Sequence, residues 1–358
     1  MNDYILINNI NNNADISNNN LGSTNYEFYI SKFPVNNEMY CDFLNNIQKE
    51  GFFFLYPIES KDLFNQGITY EINKGIYKYI IKKGFKNKPC VYVSYYNADL
   101  YIRYLNGDLI GSMTKDKIHY YKNSEYWLPS YHEWYKSAYY NHNLKNYSNY
   151  PNKSDIIDIG RNINNMKSIN SNNTVGRVCG NGQFNGNYSH YGVWDMAGNT
   201  YEWIRDDRFK VLKKINNIKS PIKGGSWNRD YKNSHKLELR TIDPMVYNSY
   251  IGFRICKKCP SKEFSISLYN EFGDGWKGDT IEIRDISGGT LLDKVTLNKG
   301  YGPVSFSFTV FSQKILIVNY NSMNNLFYEN KYDVFCNMKK IYSSKIFKGN
   351  RNQQIIRI

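Results

Sequence analysis

The stretch Tyr191-Gly-Val-Trp-Asp-Met-Ala-Gly-Asn-Thr-Tyr-Glu-Trp203 limits what this chain can fold into more than any other. Tyr191, Trp194, Tyr201 and Trp203 alternate with small or polar residues. Gly192 and Gly198 free the backbone between the rings, which predicts a buried irregular turn leading into a strand. Asp195 and Glu202 bracket Gly198, Asn199 and Thr200. Two carboxylates and several turn carbonyls can then converge on one point, as a hard cation such as calcium requires. The same residues also read without a metal, with Asp195 capping the turn through backbone N–H groups and Glu202 facing solvent.

Around this turn, 358 residues at 41% hydrophobic content leave room for about two domains. The pattern changes after Cys259-Pro260, so residues 1–260 are expected as one domain and 261–358 as a second. No run approaches the roughly 18 apolar residues of a membrane span, and the N-terminus lacks the basic and apolar regions of a secretory signal. Six cysteines are too few for a disulfide framework, which makes Cys41, Cys90 and Cys179 small buried hydrophobes. Cys256 and Cys259 form a lone C-x-x-C that lacks a second pair for zinc, and they read as a reduced or linked pair at the domain boundary. The net charge of +14 favours acidic partners. Its lysines are scattered, with short clusters such as Lys213-Lys214 and Lys257-Lys258, and no nucleic-acid module is present, so nucleic acid is not expected. With 34 tyrosines, exposed rings should serve sugar stacking or protein contacts.

Along the chain, Tyr4 to Ile7 predicts a first strand and the alternation at Tyr26, Phe28 and Ile30 another. Pro34 to Leu44 has helical spacing, with Val35, Met39, Phe43 and Leu44 facing the core. Thr69 to Ile72 and Ile76 to Ile81 predict a hairpin turned at Asn73-Lys-Gly75. Ser130-Tyr-His-Glu133 has the spacing of a capping box that opens a helix running through Ala138. The cap accounts for Glu133, and His132 reads as surface. Asp206-Asp207 reads as a surface turn rather than a hydrolytic pair.

The central stretch resembles the signature of the formylglycine-generating enzyme (sulfatase-modifying factor) family, whose domain is an elaborated C-type-lectin-like fold. Further segments follow in the family's order: Phe28 to Val35, Lys88 to Ala98, Trp127 to Ala138, Gly224-Gly-Ser-Trp227 and Ile251-Gly-Phe-Arg254. The resemblance covers roughly Asp15 to Cys256. It implies helices at Pro34 to Leu44 and Tyr95 to Leu105 flanking the sheet, the second with Ala98, Ile102 and Leu105 inward. It also implies a structural calcium held by the side chains of Asp195 and Glu202 and the carbonyls of Gly198 and Thr200. Another family calcium site maps near Asn162-Ile163 and Ser171 to Asn173, where the expected aspartate is missing.

Catalysis in the family implies two cysteines shortly after Gly-Gly-Ser-aromatic, because soft thiolates hold Cu(I) and one engages the substrate cysteine. Here Arg229 and Ser234 take those positions. Neither a guanidinium nor a hydroxyl replaces a thiolate, so copper is not expected. The H-x-x-x-H-x-E motif of the related iron-dependent sulfoxide synthases is also missing. What remains of the pocket is Trp227, Asn228, Arg229, Asp230, Tyr231, His235 and Arg240, where relatives bind substrate peptide. Aromatics, Asn, Asp and Arg in loops on a rigid scaffold suit ligand recognition, while Trp227 and Arg240 also read as structural.

After residue 260, alternating segments at Glu263 to Tyr269, Thr280 to Arg284, Val304 to Phe311 and Lys314 to Tyr320 predict an antiparallel β-sandwich. Asn270 to Asp279 resembles the Gly-Asp-Gly-Trp turn of sandwich modules in adhesive proteins. Asp274 and Asp279 could help hold calcium there, and tight hairpin chemistry explains the glycines as well. The expected fold class is therefore α+β, a C-type-lectin-like domain followed by a sandwich. The expected role is non-catalytic recognition of a protein or glycan, or a part in a larger assembly. The alternative is a formylglycine-generating-type oxidase or another enzyme using the same pocket.

Overall fold

The computed structural model describes residues 3–52, 55–57, 62, 64–73, 76–108, 124–155, 169–205, 219–285, 290–311, 315–321, 330–344 and 353–357. Lys213-Lys214, Asp206-Asp207, Asn162-Ile163 and the tip of the hairpin turn at 74–75 lie outside them. The chain divides into two compact units, residues 1–8 with 12–258 and residues 9–11 with 259–358.

Among the described residues the first unit has three α-helices: α1 (Asn37–Ile47), α2 (Tyr95–Leu105) and α3 (Tyr131–Tyr139). Each begins on a side chain that accepts an orphan N–H, Asn36 from Met39, Ser94 from Asn97 and Ser130 from Glu133. In α3 the Glu133 carboxylate returns the bond to the Ser130 N–H at 2.6 Å, which completes the expected capping box. His132 is exposed, as expected. The first helix starts three residues after Pro34, because Asn36 can cap and Pro34 cannot continue a helix backwards.

Two four-stranded sheets accompany the helices. In one, Tyr4–Ile7, Phe28–Ser31, Cys256–Lys258 and Tyr126–Trp127 run antiparallel, so the two ends of the unit are stitched side by side. In the other the order is Arg240–Ile242, Ser220–Lys223, Tyr201–Trp203, Ile251–Gly252, with the last pair parallel. Val35, Phe43, Leu44, Ala98, Ile102, Tyr201, Trp203 and Phe253 meet in one core, and Phe28, Ile30, Trp134, Tyr135 and Met196 in a second. The predicted hairpin is present, Ile68–Asn73 against Ile76–Ile81.

Among its described residues the second unit forms two antiparallel sheets. One orders Val304–Phe311, Ser261–Asn270, Asn330–Cys336 and Lys339–Ser343; the other Thr290–Val295, Thr280–Asp285, Ile315–Asn321 and Gln353–Arg357. Ile266, Leu268 and Val334 from the first sheet share a core with Ile281, Ile283 and Val318 from the second, which makes the unit a sandwich. Trp276, 1% exposed, fills that core and donates to the Tyr269 carbonyl at 2.8 Å. Asp279 accepts from Asn330 at 3.0 Å and from Tyr320, while Asp274 pairs with Lys277. Both aspartates thus have protein partners. No helix among the described residues is long and apolar enough to cross a membrane.

Candidate functional site

The central turn is buried and enters the strand Tyr201–Trp203, with the Trp203 indole donating to the Val93 carbonyl at 2.8 Å. Asp195, Gly198 and Asn199 all take positive φ, at 58°, 70° and 62°. Glycine is required at 198 on a second ground, since a Cβ there would lie 2.5 Å from the Asn170 carbonyl oxygen. Gly198→Ala is expected to cost about 1–3 kcal/mol through the left-handed backbone alone, with the clash in addition. A chemical-denaturation series measures the loss, and an unchanged midpoint would show that the turn relaxes.

Glu202 does not face solvent. It is 1% exposed and bound to Arg254, itself 0% exposed. Arg254 Nε donates to Oε2 at 2.6 Å, Nη2 to Oε1 at 2.7 Å, and the Trp134 indole also donates to Oε2 at 2.6 Å. The guanidinium is completed by the Ser31 carbonyl at 3.0 Å and the Trp194 carbonyl at 2.9 Å. Asp195 accepts from the Gly182 N–H at 2.6 Å, and the Gly198 carbonyl from the Thr200 N–H at 2.8 Å. Burial pushes the Asp195 carboxyl up to about 7. A calcium ion needs unpaired oxygens, and here a cation and an indole already bond both oxygens of Glu202, so the carried-over ligand set fits an ion pair better than a cation cage. Among the described residues no three His, Cys, Asp or Glu side chains gather to hold a metal.

Asn199 links this turn to the proposed ligand face. Its Oδ1 accepts from Cys179 N and Asn170 Nδ2, both at 2.9 Å, while its carbonyl accepts from Trp227 N at 3.0 Å. Asn172 and Asn173 then donate their N–H groups to the carbonyls of Arg229 and Trp227, each at 2.7 Å. The loop after Gly224-Gly225 is therefore fixed along its backbone, with Ser226 and Ser234 buried and Trp227, Asn228 and Arg229 half-buried.

Ser234, one of the two residues that the resemblance puts at copper-cysteine positions, is 1% exposed. Its hydroxyl donates to the Gly224 carbonyl at 2.7 Å and accepts the Gly198 N–H at 3.2 Å. It serves to lock two turns together. At the other position the Arg229 guanidinium lies 5.3 Å from the Tyr250 ring centre. Burial pushes the Cys41 and Cys179 thiols up to about 11 and holds Cys90 and Cys256 well above the ordinary thiol range.

The seven face residues fall into groups. The Trp227 indole donates to the Ser249 carbonyl at 3.1 Å, and Arg240, exposed, sits 5.8 Å from the Tyr201 ring centre. Tyr201 and Tyr250 lie edge to face at 6.3 Å, so Arg240, Tyr201, Tyr250 and Arg229 form one strip with Trp227 beside it. Tyr231 and His235 instead flank Tyr150, at 6.2 and 5.1 Å. Asn228 and Asp230 build the loop: Asn228 accepts from the Ser226 hydroxyl and Asp230 caps the short turn at Tyr231–Ser234. Beneath them the buried Lys223 ammonium donates to the carbonyls of His235, Lys236 and Glu238.

The profile of the sulfatase-modifying factor enzyme 1-like domain matches residues 13–259. The chain belongs to this family. No curated protein matches it. Solved structures of similar fold include CarF, at 15% identity and a TM-score of 0.47 over 73% of this chain and 99% of that one. Treponema denticola variable protein 1 follows at 15% and 0.42, over 71% and 94%. PvdO from Pseudomonas aeruginosa stands at 16% and 0.40, over 72% and 91%. Likeness at this level carries no functional argument. Within the sulfatase-modifying factor scaffold, the sequence marks the central turn, while the roles of Arg254, Trp134 and Asn199 in it are not legible there. The signal for Arg254 is a lone cation inside the apolar run Ile251 to Ile255, which demands a buried acid.

Proposed function

We propose that this family member is a non-catalytic recognition protein that holds a ligand on the face formed by Trp227, Arg229 and Arg240. The reading is supported by the residues that the family resemblance puts at the copper thiolate positions, Arg229 and a buried, doubly hydrogen-bonded Ser234. Neither binds a soft metal. Backbone hydrogen bonds fix the loop, and its half-buried Trp and Arg resemble the anchors that dominate binding surfaces. The sandwich unit would serve attachment or assembly, since Phe272 and Tyr301, 62% and 66% exposed, stand on neighbouring turns at one end of it.

The central turn performs its structural role in this reading through Arg254 and Glu202, without calcium. Calcium and chelator should leave the melting temperature unchanged; a calcium-dependent rise abolished by Asp195→Asn would restore the metal site. The face itself is tested by a glycan and protein-ligand screen repeated with Trp227→Ala and Arg229→Ala. Each change should weaken whatever binds by about tenfold or more. Unaltered binding in both variants would remove this surface.

A further inference from the structure

We infer that the ligand is an acidic segment of a protein partner, gripped by Arg229 and Arg240. The inference rests on the recognition reading and specifies its ligand. Each guanidinium lies over a tyrosine, Arg229 over Tyr250 and Arg240 over Tyr201, and the two rings touch edge to face. The contacting rings therefore link the two cations, Tyr201 itself being buried. Among the described residues neither arginine is ion-paired with a carboxylate, in contrast to Arg254, Arg103 and Arg284. Glu238, exposed on the same segment, pairs with neither. A guanidinium matches a carboxylate with two parallel hydrogen bonds; the Arg229 Nε is buried without a partner, so at that position the two outer Nη groups would make them.

A protein partner is favoured over a sulfated sugar by the rest of the strip. Met245 and Tyr247, 58% and 39% exposed, lie on the loop that supplies Tyr250 and the Ser249 carbonyl under Trp227. Trp, Tyr, Met and Arg together are the composition of a protein-binding core. The net charge of +14 draws acidic partners in before contact.

The test uses the full chain and fluorescein-labelled octaglutamate, read by anisotropy at fixed salt, with a heparin tetrasaccharide in parallel. Thermal midpoints are checked first. The double variant Arg229→Gln with Arg240→Gln should lose about tenfold in octaglutamate affinity. Lys339→Gln, an exposed lysine of the sandwich unit, should change it by less than about twofold. The charge-retaining pair Arg229→Lys with Arg240→Lys should recover affinity only in part, because a point charge lacks the fork. Equal losses in the Gln variants and the Lys339 control would overturn the proposal, as would arginine-dependent binding of heparin alone. Trp227→Ala in the same assay separates the two levels. If it releases octaglutamate while the arginine pair does not, the face binds without a clamp and the inference falls; if neither matters, the face itself fails.

Discussion

Arg254→Ala is expected to cost the first unit about 3–5 kcal/mol, the loss that follows when one partner of a buried ion pair is removed. Three features set the size. Arg254 is 0% exposed, it makes two short bonds to Glu202, and it also satisfies the carbonyls of Ser31 and Trp194. Alanine would leave the Glu202 charge facing only the Trp134 indole, together with two carbonyls that lose their donors. Chemical denaturation followed by tryptophan fluorescence reads the loss. Glu202→Gln in the Arg254→Ala background should return part of it, since the stranded charge is then gone. Additive losses instead would mean the two residues do not act as a pair.

Trp276→Ala is expected to cost the sandwich about 3–5 kcal/mol, as a fully buried tryptophan deletion does. The indole packs against Tyr320 at 5.7 Å in an edge contact and donates to the Tyr269 carbonyl. Its removal opens the space between the sheets next to the Asp279, Tyr320 and Asn330 network. Hydrogen exchange in Phe264 to Leu268 and Ile281 to Ile283 should accelerate strongly. Protection equal to that of the unaltered chain would contradict the assignment of Trp276 as the core's main filler.

Local signals carry most of the first unit. The Ser130 and Glu133 spacing marks α3, because a cap is written within one turn of chain, and the family resemblance supplies α2, which spans Tyr95–Leu105 as expected. The sandwich is legible in four strands and hidden in four: Thr290–Val295, Asn330–Cys336, Lys339–Ser343 and Gln353–Arg357. Lys339–Ser343 is an edge strand whose lysines protect it from further pairing, and that charge masks the alternation a strand is recognised by. At the site, Glu202 is legible as a candidate ligand but not as half of an ion pair. Its partner comes from fifty-two residues away, brought in by the parallel pairing of Ile251–Gly252 with Tyr201–Glu202. Nothing within either segment specifies that register. The arginine strip is hidden for the same reason, since Tyr201 and Tyr250 meet only once those strands lie side by side.

The most direct test of a recognition role is to load the chain with Cu(I), add a cysteine-containing peptide and follow oxygen consumption and peptide mass. The account predicts neither stoichiometric copper retention nor oxygen uptake above the peptide-free control, because the family resemblance puts Arg229 and Ser234, not thiolates, at the copper positions. Conversion of the peptide cysteine to formylglycine would contradict it.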